Sequence, residues 1–136
     1  MRRISISTED RIFSEYIRKR AMRLIGGCER CLTPKFDKVK EDGTIFKAWK
    51  QLQCSHYITR GNRATKWDPD NCAGLCGACH LYFQGHPREH TEFMIARLGE
   101  ERFERLNMRS QGVKHVDMAA VRLYLKQLLK GELVRG

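Results

Sequence analysis

Six cysteines carry the most specific chemical signal in this chain. Four of them form two C-x-x-C pairs, Cys28 with Cys31 and Cys76 with Cys79. Two such knuckles supply four thiolates, which can close a tetrahedron around zinc. The 44 residues between the pairs (32–75) exceed the spacing of a compact zinc ribbon, so a folded segment must lie between them. We therefore predict a structural Zn²⁺ site, with buried or redox-active thiols as the alternative.

Cys54 and Cys72 remain outside these pairs. Free cysteines are among the most buried residues, so the ordinary interpretation is that both fill the core. Cys54, however, lies two residues before His56, and on a strand the two side chains would share one face. Cys54 could therefore approach a metal ion.

Three polar residues follow in the order His56, Asn71 and His80, between and just after the knuckles. Each alone is weak evidence, because a single His or Asn is usually a satisfied polar group. Together with the knuckles, the segments 54–58 and 70–80 resemble the HNH (His-Me finger) endonuclease family. The resemblance implies a zinc-stapled ββα-metal core, in which a β-hairpin and a helix clasp a divalent ion. It also implies that His56 is the general base, that Asn71 orients it, and that His80 binds a catalytic Mg²⁺ or Mn²⁺ ion.

The activity implied by this resemblance is metal-dependent hydrolysis of DNA phosphodiester bonds. A neutral imidazole can take a proton from water near pH 7, while a hard cation stabilises charge on the phosphate and on the leaving oxygen. The alternative is a zinc-dependent DNA-binding module without catalysis, which fits the two cysteine knuckles and the net charge of +10 equally well. Such a module has no need of a base beside a metal ligand.

More narrowly, the chain is similar to the phage lambda NinG (Rap) recombination nuclease family over roughly residues 8–110. The similarity lies in Cys-x-His, in Asn-Cys-x-x-x-Cys-x-x-Cys and in the segment 11–17. It implies a preference for branched recombination intermediates such as Holliday junctions. Because a four-way junction needs two coordinated nicks, we expect a homodimer, paired through the last helix unless that helix packs onto its own chain.

One position departs from the HNH pattern. Many HNH enzymes place an acidic metal ligand directly before the base, and here that residue is Ser55. Several waters could complete the coordination shell, as magnesium tolerates. The candidates for a second protein ligand are Asn71, Asp68, Asp70, Glu89 and His90. Glu89 and His90 could equally be ordinary residues of an exposed helix surface.

The charge balance favours a polyanionic partner. Lys and Arg outnumber Asp and Glu by 26 to 16, giving a net charge of +10, so DNA is the expected partner. Arg60, Arg63 and Lys66 follow the base and are expected to bind phosphates, unless their loop is merely exposed. No apolar run approaches the roughly 18–20 residues of a membrane span, and the N-terminus does not read as a signal peptide. We therefore expect a cytoplasmic protein, in a bacterial host cell if it is phage-encoded.

The fold predicted to carry these residues is a single α+β domain over residues 1–136. Periodicity predicts an N-terminal helix over 8–25 with Thr8 as its cap, and C-terminal helices over 87–130 that break at Gly99. The zinc-bound ββα core that the HNH resemblance implies would occupy 28–85, where the residue pattern predicts a strand ending near His56 and a loop over 59–75. The first helix has a basic face, either solvated or in contact with DNA, formed by Arg11, Arg18, Lys19, Arg20 and Arg23.

Overall fold

The computed structural model describes residues 7–112 and 116–135, with side chains to residue 132. These residues form an α+β fold, as predicted. The helices are α1 (Thr8–Leu24), α2 (Gly77–Gly85), α3 (Pro87–Leu98), α4 (Glu100–Ser110) and α5 (Met118–Arg135). Two antiparallel pairs make two small sheets, which are β1 (Lys38–Val39) with β2 (Ile45–Phe46) and β3 (Gln53–His56) with β4 (Cys72–Leu75). None of the described helices combines the length and the apolar character needed to span a membrane.

Helix α1 is the central support of β3 and β4. Its cap is Ser7, not the predicted Thr8, because the Ser7 hydroxyl accepts the backbone N–H of Asp10 at 3.1 Å. The residues facing the interior are fully or almost fully buried and share one stripe, namely Phe13, Ile17 and Ala21. This stripe packs against the β3–β4 pair on one side and against α5 on the other.

The β3–β4 pair fixes the positions of the candidate site residues. His56 lies opposite Cys72, and Cys54 lies opposite Gly74. The prediction of a loop through residue 75 was wrong for its last four residues, which form β4. The segment Cys-Ala-Gly-Leu has little intrinsic strand preference, so its pairing with β3 is a tertiary effect that local composition does not reveal.

The C-terminal helices follow the predicted pattern, including the break at Gly99, whose φ of 83° stops α3. The apolar face of α5 packs onto its own chain, with Leu125 fully buried beside Phe13. Val121 and Leu128 are partly buried in the same cluster. The face predicted as a dimer contact is therefore covered by α1.

Part of the predicted basic face of α1 has a structural role. Arg20 is only 8% exposed, and its guanidinium donates to the carbonyl oxygens of Pro69 and Cys72 at 3.0 and 2.7 Å. Arg18 lies over the ring of Trp49 at 4.7 Å. Arg20 is therefore neither a solvated residue nor a DNA contact, because it ties α1 to the segment that enters β4.

Gly74 is the tightest contact between α1 and the strands. A Cβ atom at this position would lie 2.6 Å from the Cβ of Ala21, which is possible only if the backbone shifts. We expect Gly74→Ala to lower the free energy of unfolding in urea by about 1–3 kcal/mol, the usual cost of overpacking. Gly85→Ala is the matched control, because a Cβ there meets no atom within 4 Å. Equal unfolding midpoints for the two variants would contradict the close approach.

Candidate functional site

The four knuckle cysteines converge between the end of α1 and the start of α2. Cys28 and Cys31 lie in the turn after α1, whereas Cys76 and Cys79 lie at the first turn of α2. Their sulfur atoms all lie within 4.8 Å of one another, and those of Cys31 and Cys76 are 3.8 Å apart. Zn–S bonds of about 2.3 Å in a tetrahedron place the sulfurs roughly 3.8 Å apart, so small rotations close the group. These residues therefore form a site that can hold a metal such as zinc.

Hydrogen bonds fix the first knuckle to β4. The Glu29 backbone N–H donates to the Gly74 carbonyl oxygen at 3.0 Å, and the Glu29 carboxylate accepts the Gly74 N–H in return. The other carboxylate oxygen of Glu29 accepts a hydrogen bond from Arg97 Nε at 2.8 Å. The first knuckle is thus positioned against the strand that leads into the second.

The surroundings act differently on the individual thiols. Burial raises the pKa of Cys79 to about 12 and also raises the pKa of Cys28. The Thr33 hydroxyl, 3.1 Å from the Cys31 sulfur, lowers the pKa of Cys31 to about 6. Arg30 Nη1 donates to the Cys79 sulfur at 3.3 Å and favours its thiolate. Because a coordinated thiol is deprotonated outright, zinc would replace the remaining protons.

His56 is the last residue of β3 and is half-buried beside Phe13, with the ring centroids 6.0 Å apart. Its Nε2 atom lies 2.9 Å from the carbonyl oxygen of Lys66. A carbonyl only accepts, so Nε2 carries the proton of the neutral ring and Nδ1 keeps a free lone pair. Burial lowers the pKa of His56 from its ordinary 6.5, which keeps the ring neutral at pH 7. This is the protonation state that a general base requires.

Asn71 is fully buried and acts on the backbone. Its Oδ1 accepts the N–H of Ile58 at 2.7 Å, and its Nδ2 donates to the carbonyls of Ile58 and Thr65 at 2.9 and 3.2 Å. These bonds hold both ends of the loop that delivers the Lys66 carbonyl to His56. Among the described residues the side chains of Asn71 and His56 share no hydrogen bond, so any influence of Asn71 on the ring would pass through this loop.

An open cavity of about 870 Å³ lies beside β3 and is lined by His56, His80 and His90. His80 projects from α2, and its buried Nδ1 has no hydrogen-bond partner among the residues that the structure describes. Buried polar atoms almost always have a partner, so this nitrogen is an exception that a bound ion would satisfy. The role of His80 as a metal ligand stays a prediction.

His90 faces the same cavity from α3 and is 8% exposed, so its interpretation as an ordinary surface residue was wrong. Its ring stacks on Phe83 at 4.3 Å and meets Tyr57 edge-on at 5.0 Å. Burial, together with the neighbouring His80, lowers the pKa of His90 to about 4. The ring is consequently neutral at pH 7 and able to act as a ligand.

The acidic candidates for a second metal ligand lie elsewhere. Asp68 and Asp70 pair with Arg109 at 2.7 and 3.3 Å and line a separate cavity. In the part of the chain that the structure describes, no carboxylate lines the cavity of His80. Two further candidates are also missing from its wall, namely Glu89 and Asn71. Of the predicted second ligands, His90 alone reaches the cavity.

The basic loop after His56 is anchored on Asp10 of α1. Arg60 and Lys66 lie 3.2 and 3.5 Å from the Asp10 carboxylate, and the Trp67 Nε1 donates to it at 3.0 Å. Trp67 is 9% exposed and belongs to the core. Arg60 lines the His56 cavity and keeps 59% of its side chain exposed, whereas Arg63 packs over Trp67 at 6.0 Å. Sequence reasoning missed Asp10 because an acidic residue in a first helical turn indicates only helix capping.

The cysteine group generates a direct prediction. We expect the chain to retain one tightly bound zinc ion and Cys79→Ser to lose it together with much of the cooperative fold, because the site joins distant segments. Elemental analysis and thermal unfolding with and without a chelator measure the two effects. His86→Ala is the control, since this exposed histidine lies outside both groups of metal-ligating side chains. A wild-type chain that holds no tight zinc would contradict the site.

Comparisons with known proteins supply no relative for this chain. No family model, curated protein or solved structure matches it. The resemblance to HNH endonucleases therefore stays a prediction based on the motifs. Any function must be argued from the side chains themselves.

Proposed function

We propose that this chain is a metal-dependent DNA endonuclease of the HNH type that acts on branched recombination intermediates such as Holliday junctions. The observation that carries the proposal is the state of His56, which is half-buried, neutral at pH 7 and held by the Lys66 carbonyl. It shares a cavity with His80, whose buried Nδ1 lacks a partner among the described residues. A base fixed in one tautomer beside a free imidazole ligand suits activation of water next to a metal.

The base step uses the two ring nitrogens of His56 differently. Nδ1 takes a proton from a water molecule as the water oxygen attacks phosphorus, and the bond from phosphorus to the leaving oxygen breaks. The leaving oxygen takes a proton from solvent. Meanwhile Nε2–H keeps its bond to the Lys66 carbonyl, which steadies the imidazolium and the orientation of the ring. Asn71 supports this step by fixing the loop that carries the carbonyl.

His80 would hold the catalytic Mg²⁺ or Mn²⁺, with His90 as the second protein ligand and waters as the oxygen ligands. With two imidazoles and no carboxylate among the described residues of the wall, this donor set suits Mn²⁺ better than Mg²⁺, which prefers oxygen. When bound, the ion supplies positive charge at the phosphate and at the leaving oxygen. The low pKa of His90, about 4, keeps its lone pair available throughout the neutral range. His90 would thus take the part that an acidic residue at the position of Ser55 plays in many HNH enzymes.

Contact with DNA would begin with Arg60, which lies on the cavity wall and is largely exposed. Its guanidinium can meet a phosphate without reading the base sequence, so affinity should fall as salt rises. The net charge of +10 supports the same partner. Two cuts in one junction need two chains, and pairing would use a surface other than the covered face of α5.

Cleavage of a four-way junction and of a matched linear duplex tests the proposal, with and without Mg²⁺ or Mn²⁺. We expect His56→Ala to slow cutting by about 10²–10⁴-fold, the usual contribution of a general base, with the zinc of the four-cysteine site and the DNA affinity unchanged. His86→Ala is the matched control, because this exposed histidine lies outside the cavity wall. A folded His56→Ala variant that cuts as fast as the wild type would remove His56 from the mechanism.

The same assay separates the alternatives. A wild-type chain that binds junctions but never cuts, with either metal, would favour the zinc-dependent DNA-binding module. Equal cutting of the linear duplex and the junction would remove the preference for branched DNA and leave the nuclease intact.

The pH dependence of cutting follows from the environment of His56. Its pKa is lowered by burial, so the neutral, active form persists below pH 6.5 and is lost only as the pH falls through the lowered value. We therefore expect the cleavage rate, measured as nicked product under single-turnover conditions, to fall with decreasing pH only below pH 6.5. A fall in the rate centred above pH 6.5 would contradict His56 as the titrating base.

A further inference from the structure

A second group of metal-ligating side chains lies on the face of β3 that packs against α1. The ligand atoms of Cys54, His56 and Cys72 all lie within 4.8 Å of one another. The strand register accounts for this cluster, because His56 is directly opposite Cys72 and Cys54 lies two residues before His56 on the same face. The group shares no cysteine with the four-cysteine site.

The donors of this group select a particular class of metal. Two thiolates and one imidazole are soft or borderline ligands that suit Zn²⁺, whereas Mg²⁺ prefers oxygen. A Zn²⁺ ion bound by two thiolates and a neutral imidazole is a neutral unit, so its burial avoids the cost of an isolated charge. The ligand atoms need to move only slightly closer together, because tetrahedral Zn–S bonds of about 2.3 Å place the sulfur atoms roughly 3.8 Å apart.

The surroundings already resemble the outer shell of a zinc site. A histidine ligand usually donates its second ring N–H to a carbonyl or carboxylate, and His56 has such a contact with the Lys66 carbonyl at 2.9 Å. Burial raises the pKa of the Cys72 thiol, and Arg20, which donates to the Cys72 carbonyl oxygen at 2.7 Å, brings a positive charge that acts in the opposite direction. Phe13 covers the imidazole from α1.

A route to this group exists from the α1 side. A cavity of about 450 Å³ is lined by Cys54 and His56 from β3 and by Asp10, Ser14 and Arg18 from α1. An ion can enter here without passing the cavity of His80, and a water molecule can take the fourth position. A three-ligand site with an open position is chemically ordinary for zinc.

We propose that Cys54, His56 and Cys72 form a second, weaker zinc site that inactivates the chain by occupying the lone pair of His56. Binding releases the protons of the two thiols and joins both sulfurs and one ring nitrogen to the metal. The inhibitory consequence rests on the proposed function, since it requires His56 to be the base. The binding itself does not.

Binding is tested on the full chain that carries its first zinc ion. Equilibrium dialysis against buffered zinc, followed by elemental analysis, should show a second equivalent for the wild type. Cys54→Ser and Cys72→Ser should each weaken that second equivalent by about 10-fold or more, because each removes one ligand. His86→Ala should retain it, which excludes adventitious binding to an exposed imidazole. Substitution with Co²⁺ gives an independent readout, because thiolate-to-cobalt absorption should rise in two steps for the wild type and in one for Cys54→Ser.

Cleavage under Mg²⁺ with added zinc tests the regulation. Each rate is expressed relative to the zinc-free rate of the same variant. We expect zinc to inhibit the wild type, and we expect the zinc concentration needed for the same inhibition to be about 10-fold higher or more in Cys54→Ser.

A second equivalent of zinc that survives both serine variants, or no second equivalent at all, would overturn the site and leave both cysteines as core residues. A second equivalent lost in the variants, in a chain that never cuts DNA, would keep the site and overturn the nuclease and the regulation. Equal zinc inhibition of wild type and Cys54→Ser would overturn the regulation alone.

Discussion

Strand β4 lies against α1 at Gly74, and this close approach fixes where the cysteine group and the candidate base lie. Any side chain there would collide with Ala21, so only glycine lets the strand lie this near the helix. The same residue exchanges backbone and carboxylate hydrogen bonds with Glu29, which places the first cysteine knuckle. It also pairs with Cys54, and that register carries His56 opposite Cys72. One small residue thereby sets the position of the cysteine group relative to the candidate base.

The pleat of β3 then divides its side chains between two environments. Cys54 and His56 face α1 and its apolar stripe, where Phe13 and Cys72 are fully buried. The intervening Ser55 and the following Tyr57 face the other way, and the Tyr57 hydroxyl lies 2.8 Å from Thr91 Oγ1 on α3. Because His56 ends the strand, it lines the cavities on both sides. That position explains why one imidazole is offered both to the cavity of His80 and to the thiols behind the strand.

Much of this arrangement could be predicted where the signal is local in sequence. The C-x-x-C spacing placed four sulfurs together, periodicity predicted α1 to within one residue, and Gly99 marked the break after α3. Features that depend on distant partners were not predictable. Strand β4 forms because β3 is beside it, and Arg20 is buried because two carbonyl oxygens meet its guanidinium. Asn71 was singled out as the residue that orients the base, yet its partners are backbone atoms of a loop, and sequence patterns do not distinguish a backbone target from a side-chain one.

The chemistry of His56 depends on a single lone pair, because its other ring nitrogen is committed to the Lys66 carbonyl. A lone pair can accept a proton from water or bind a metal, but it cannot do both at once. Two thiols stand beside His56 on the side of Cys72, whereas the cavity of His80 offers two further imidazoles and, of these thiols, only that of Cys54. A soft ion would accordingly favour the side of Cys72. The soft ion would compete with the proton for Nδ1, so the proposed hydrolysis and the proposed zinc binding would exclude each other at one atom.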